Sequence, residues 1–160
     1  ILTRQPDDKD AIHAAGLLAM QLGDGVGAEA HFRRLLDLGF AEEDSIRSYL
    51  GQIAEEAKRY DEAINWYKSV PPGSRYVAAQ ARVAQVMVSR GQMAEARQYL
   101  QGVARGAATA DRQQLVLAEA QILRDAGRNE DAFNVLDEAL RGDPESSELL
   151  YESALMAERI

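Results

Sequence analysis

Cysteine is absent from the 160-residue chain. That excludes disulfides, thiolate nucleophiles and cysteine metal sites, and it fits either the cytoplasm or the bacterial envelope. Histidine occurs twice, at His13 and His31. Neither has a second His one helical turn away, so the set of about four ligands that zinc needs is not assembled. Both are expected to be solvated or half-buried. A basic excess is missing as well: 18 Lys and Arg stand against 26 Asp and Glu, a net charge of −8. That balance argues against nucleic acid, whose phosphates need a basic patch, and against adsorption to anionic lipid. No apolar run approaches the roughly 20 residues of a membrane-spanning helix, so no direct membrane insertion is expected of this segment.

Catalytic constellations are missing too. The serines lack a nucleophile elbow or a His base. Glu55 and Glu56 are adjacent, so they do not face each other on a helix and read as a solvated face rather than an acid–base pair. Gly23-Asp24-Gly25-Val26-Gly27 looks like a nucleotide loop only until its context is read. A phosphate-binding loop needs a strand before it, whereas here a helical pattern precedes it. The expectation is no enzyme, no cofactor and no metal.

What is present is a period. A small residue follows each turn at Ala28, Ala63, Ala96 and Ala132, in steps of 35, 33 and 36. In the helix before each turn a large or long residue is followed by a small one in three of four cases: Leu50-Gly51, Val83-Ala84 and Glu119-Ala120; the first is Ala15-Gly16. Turn glycines follow at Gly23, Gly91 and Gly127, with Lys58 in the remaining place. Four residues after each post-turn alanine comes a large side chain: Phe32, Tyr67, Leu100 and Leu136. The spacing predicts helices over Lys9–Leu22, Val26–Leu38, Glu43–Ala57, Tyr60–Ser69, Tyr76–Arg90, Met93–Ala104, Asp111–Ala126, Asn129–Arg141 and Ser147–Arg159. Small residues let the two helices of a hairpin approach, and large ones fill the gap. No single hairpin can bury its stripe, so neighbours must stack. Val70-Pro71-Pro72-Gly73 is expected to stop one helix early. The small residues of Gly102–Ala110 are expected to form a loop that lengthens the third unit.

These residues, in phase over essentially the whole chain, resemble the tetratricopeptide repeat (TPR) family; Leu50–Tyr67 is the nearest match to its pattern. The resemblance implies an all-α fold, a right-handed superhelix (α-solenoid) of antiparallel helix pairs. It would be a single TPR segment over 1–160, with repeats at about 9–42, 44–77, 77–110 and 113–146 and partial repeats at 1–8 and 147–160. The last helix offers Leu150, Ala154 and Ala157 to a neighbour. Together with a start at Ile1, this suggests a slice of a longer array and end-to-end self-association. The wording of the repeats resembles long proteobacterial TPR proteins. Some of those are envelope lipoproteins that recruit other proteins, proteases among them, which favours the envelope or periplasm over the cytoplasm.

In this family the first helix of each pair lines a concave groove. That implies a protein partner, an extended peptide or a helix, bound without catalysis by an adaptor or scaffold. The groove residues would be Leu17, Tyr49, Gln52, Glu55, Arg82, Gln85, Gln121, Arg124 and Tyr151, with His13 and Gln114 beside them. Gln52, Gln85 and Gln121 form a ladder whose amides can pair with both sides of a peptide bond; the plainer reading is that glutamine is a good, soluble helix former. The carboxylate clamp of chaperone-tail-binding TPR domains is not matched: Ser48 and Ala81 stand at clamp positions, and Gln52 replaces the asparagine. The alternative role is a structural spacer or self-assembling scaffold in an envelope or polysaccharide-export complex. Tyr67 falls on the packing stripe, and Trp66 is either core or a partner contact. Glu119 stands where an apolar residue is usual. Its stem packs while its carboxylate reaches water or an arginine such as Arg97, or it forms a buried ion pair that fixes register.

Overall fold

The computed structural model describes residues 7–160, and among them every regular element is a helix. They are α1 (Lys9–Gln21), α2 (Gly25–Asp37), α3 (Glu43–Glu56), α4 (Tyr60–Lys68), α5 (Tyr76–Ser89), α6 (Met93–Gly106), α7 (Thr109–Asp125), α8 (Asn129–Gly142) and α9 (Ser147–Ala157). The chain divides into two compact units, Ile1–Ala79 and Gln80–Ile160. In the first unit α1 packs on α2, α2 on α3 and α3 on α4; in the second, α6 packs on α7, α7 on α8 and α8 on α9. The expected partial repeat at 1–8 lies largely outside the described residues.

The turns follow from backbone chemistry. Gly23, Gly91 and Gly127 take left-handed φ values of 74°, 78° and 72°, where a Cβ would be strained. Lys58 adopts the same conformation at φ 59°. Its turn is closed by the same two bonds as the glycine turns: Lys58 N–H donates to Glu55 O and Arg59 N–H to Ala54 O, as Gly23 N–H donates to Met20 O and Asp24 N–H to Ala19 O. This pattern satisfies carbonyls that the helix end would otherwise orphan. After α4, Pro71 and Pro72 follow a helix of only 9 residues, the early stop that proline enforces.

Each unit solves the close approach of its helices in its own way. A Cβ on Gly16 would lie 2.7 Å from Phe32 Cε1, and one on Gly51 would lie 2.5 Å from Tyr67 Cε1. The rings therefore occupy the volume that the glycines leave. In the second unit the small residues are alanines, and Ala120 shares a core with Leu136, Leu123, Leu149 and Met156. The first core adds more rings: Phe32 stacks on Tyr49 at 5.1 Å, and His13 lies 5.1 Å from Phe40.

One expectation is corrected. Residues 102–110 are not a loop: α6 runs to Gly106 and α7 begins at Thr109. Gly102 and Gly106 cost about 1 kcal/mol each against alanine in a helix. The alanines around them favour the helix, and Arg112 donates to Ala104 O at 3.2 Å and Ala107 O at 3.1 Å, capping acceptors at the end of α6.

Candidate functional site

The groove residues expected from sequence fall on first helices and are taken unit by unit. In the first unit, Leu17 and Tyr49 are half-buried and pack on the same core. The Arg75 guanidinium lies 5.8 Å from the Tyr49 ring centroid, within cation–π range. Gln52 is exposed, and its amide donates to Glu56 at 2.9 Å. Glu55 accepts from the Tyr67 hydroxyl at 3.0 Å. His13 and His31 are half-buried. The Nε2 of His13 is shielded from solvent without a hydrogen-bond partner.

In the second unit, Arg82 and Gln85 are exposed and bonded to each other at 2.9 Å. On α7, Gln121 donates to Asp125. Arg124 reaches across to Glu152 on α9 at 3.0 Å, and Gln114 reaches Glu148 on α9 at 3.0 Å. Tyr151, between those two glutamates in sequence, is 64% exposed. Arg124 is thus tied to α9, the helix that carries Tyr151. Gln52, Gln85 and Gln121 each engage a side chain three or four residues away on their own helix, a spacing that places side chains over one another.

Several arrangements escaped the sequence reading. Glu29 and Arg33 on α2 bind Arg59 and Glu62 in a four-member network. Arg59 donates to Glu29 and to Glu62 at 2.6 Å each, and Arg33 to Glu62 at 2.7 Å. The hydrogen bond from Arg59, reinforced by Arg33, holds the Glu29 carboxyl below its ordinary range against the opposing pull of burial. The Arg59 guanidinium is raised, mainly by the bond to Glu29. The i,i+4 pairing of Glu29 with Arg33 was visible in sequence; the reach of 30 residues to Arg59 needed the fold. Trp66 is half-buried against the first core, with the Arg33 guanidinium 5.2 Å from its ring centroid. Tyr67 is buried, 3% exposed.

Glu119 is 3% exposed. Its Oε1 accepts from Arg97 Nε at 2.8 Å and from Gln101 Nε2 at 2.9 Å. Of the partners offered, water or an arginine such as Arg97, the structure has Arg97, and the pair is buried on the carboxylate side only. Among the described residues no group of three or more His, Asp or Glu side chains could hold a metal ion, and no helix is long and apolar enough to cross a membrane.

Comparison with known proteins now adds to this geometry. A family model for the tetratricopeptide repeat matches residues 13–76 and 117–160. A TPR repeat-containing protein of Pseudomonas aeruginosa is 34% identical over 116 residues, which are 72% of this chain and 20% of that protein. The chain therefore spans about a fifth of that relative. Among solved structures, MamA superposes with a TM-score of 0.61 at 14% identity, over 92% of this chain and 85% of its own. PilF of Pseudomonas aeruginosa gives 0.58 at 16%, over 94% and 68%. YrrB, described as a TPR protein with an unusual peptide-binding site, gives 0.57 at 15%, over 99% and 80%. At such identities these three speak for the fold alone. With helical hairpins in phase, a family model over most of the chain and TPR folds as structural neighbours, this chain belongs to the tetratricopeptide repeat family, all-α solenoids that act as protein–protein interaction scaffolds.

Proposed function

We propose that the chain is a non-enzymatic adaptor that binds an extended peptide or a partner helix along its first helices. The observation that carries this reading is the line Gln114, Leu117, Gln121 and Arg124 on α7. It lies on the side away from buried Leu115, Glu119 and Leu123 and is tied to α9 through Glu148 and Glu152. Surface hydrogen bonds between flexible side chains exchange readily with a peptide backbone, because each amide carries both a donor and an acceptor. Exposed Tyr151 adds a large amphipathic contact beside them. The repeats at 9–42, 44–77, 77–110 and 113–146 would each contribute one such helix. Binding to a preformed surface avoids the cost of ordering the receptor. Proteases and envelope proteins are the partners proposed, and peptide binding has a precedent in YrrB. The test is co-purification from the native host: changing Gln52, Gln85 and Gln121 together to alanine should release the partner while the helical signal persists. A partner retained by that variant overturns the reading.

A second reading is favoured by exposed apolar side chains. Leu18, Leu22 and Val26 are 55%, 75% and 84% exposed, and Leu150 is 49% exposed. A self-assembling scaffold would use these faces end to end. Leu150→Glu or Ala154→Glu would then abolish assembly, which the triple glutamine variant would leave intact.

A further inference from the structure

The repeat period pairs each residue of the second unit with a counterpart in the sequence of the first, and one pair of counterparts differs in volume and chemistry. Trp66 stands three residues after Ala63, and Val135 stands three after Ala132. By the same register Leu36 corresponds to Ala104, Arg47 to Val116 and Leu50 to Glu119. In the first unit the indole of Trp66, on α4, packs against the core of α1, α2 and α3 under Arg33. The space left beside it is about 290 Å³. In the second unit the smaller counterparts leave a cavity of about 570 Å³ among α6, α7 and α8, walled by Ala104, Val116, Val135 and Ala139. That volume falls within the range of ordinary ligand pockets.

Five polar residues line this cavity: Gln101, Arg105, Arg112, Glu119 and Glu138. Buried Glu119 lines it, and both of its bonds, from Arg97 and Gln101, fall on Oε1. Oε2 is left as an acceptor. Arg105 and Arg112 also line the cavity. Most arginines of the acidic chain bind carboxylates, among them Arg33, Arg47, Arg59, Arg124 and Arg128. Arg112 instead donates only to backbone carbonyls, and among the described residues no carboxylate lies within ion-pair distance of either Arg105 or Arg112.

We propose that this cavity is a second protein-binding site, which accepts a partner's tryptophan side chain flanked by acidic residues. The apolar walls take the indole where Trp66 sits in the first unit. The indole N–H, a donor only, bonds to Glu119 Oε2, and a hydrogen bond to a buried carboxylate is stronger than one between neutral groups. Arg105 and Arg112 meet the flanking carboxylates. The residues that line the cavity on α7, Arg112, Val116 and Glu119, recur at i, i+4 and i+7, on the face opposite Gln114, Gln121 and Arg124. The site is therefore separate from the groove described above and does not depend on it.

The experiment is a ¹H–¹⁵N NMR titration of the 160-residue chain with acetyl-Glu-Trp-Glu-amide, with acetyl-Glu-Ala-Glu-amide as the control. Saturable shifts at the amides of Ala104, Arg105, Val116 and Val135, seen only with the tryptophan peptide, are expected. Val135→Trp, which copies the first unit, and Ala104→Leu, which copies Leu36, should each fill the cavity and abolish those shifts. Val135→Trp should also raise the unfolding midpoint by about 2–4 °C. The proposal is overturned if the wild-type chain shows no saturable shifts there, if the alanine peptide produces the same shifts, or if the shifts survive in both filled variants.

Discussion

The first unit closes around rings and the second around branched aliphatic chains. Phe32 and Tyr67 need bare glycine opposite them; Leu136 lives with Ala120. Where the first unit places Leu50 in its core, the second buries the charge of Glu119. The first unit ties α2 to α4 by ion pairs on its surface. The same repeat grammar thus tolerates different chemistry, provided that small and large residues change together. At these paired positions a larger residue on one helix goes with a smaller one on its neighbour, as close packing demands, whereas beside Val135 the second unit leaves space unfilled.

The largest expected effect tests the charged core. Arg97→Leu leaves the Glu119 carboxylate buried with Gln101 alone, and should cost about 3–5 kcal/mol in chemical denaturation. Glu119→Leu, which copies Leu50, should be neutral or stabilising by about 1–4 kcal/mol. If both variants cost the same, the carboxylate is not an electrostatic burden and the contrast between the units fails.

Next comes the pairing of small with large. Gly16→Ala and Gly51→Ala should each destabilise by about 1–3 kcal/mol through overpacking. In the second unit, Leu136→Phe should be rescued by Ala120→Gly, with a coupling of about 0.5–3 kcal/mol in a double-mutant cycle. Additive effects would mean that the two positions do not share one volume.

Acid should sharpen the contrast further. Glu29 has a carboxyl lowered in the folded state, so its contribution is complete above the unfolded value of about 4.3. It is lost as pH falls below that value through the folded one. Arg59→Met should flatten the fall of stability in that window. An unchanged slope would remove the network from the account. The smallest effect concerns the turns. Lys58→Gly should stabilise by about 0.5–1 kcal/mol, because the left-handed conformation costs a side-chain-bearing residue roughly 1–2 kcal/mol while glycine loses more backbone freedom. Gly127→Ala should destabilise by a similar amount, measured by thermal unfolding.

Much of the fold was legible because period and turn chemistry are local. The alanines at 28, 63, 96 and 132 and the glycines at 23, 91 and 127 placed every helix end within two residues, with full two-residue misses on both sides of the stretch 102–110. There two glycines and several alanines read as a loop, and the carbonyls that Arg112 caps were not foreseeable. Arg97 was one of the partners the sequence offered for Glu119; the second donor, Gln101, one turn further along α6, was not. The reach of Arg59 to Glu29 was not legible, since it spans 30 residues. Nor was the cavity beside Val135, because an unfilled space has no residue to announce it.

The glycine under each ring also constrains how such hairpins diverge after duplication. Adding a methyl to Gly16 while Phe32 remains forces overlap; trimming the ring first leaves a hollow that neighbours can partly collapse into. Drift from a ring-bearing hairpin to a leucine-bearing one therefore has a preferred order of steps. The reverse journey must begin by giving up the alanine.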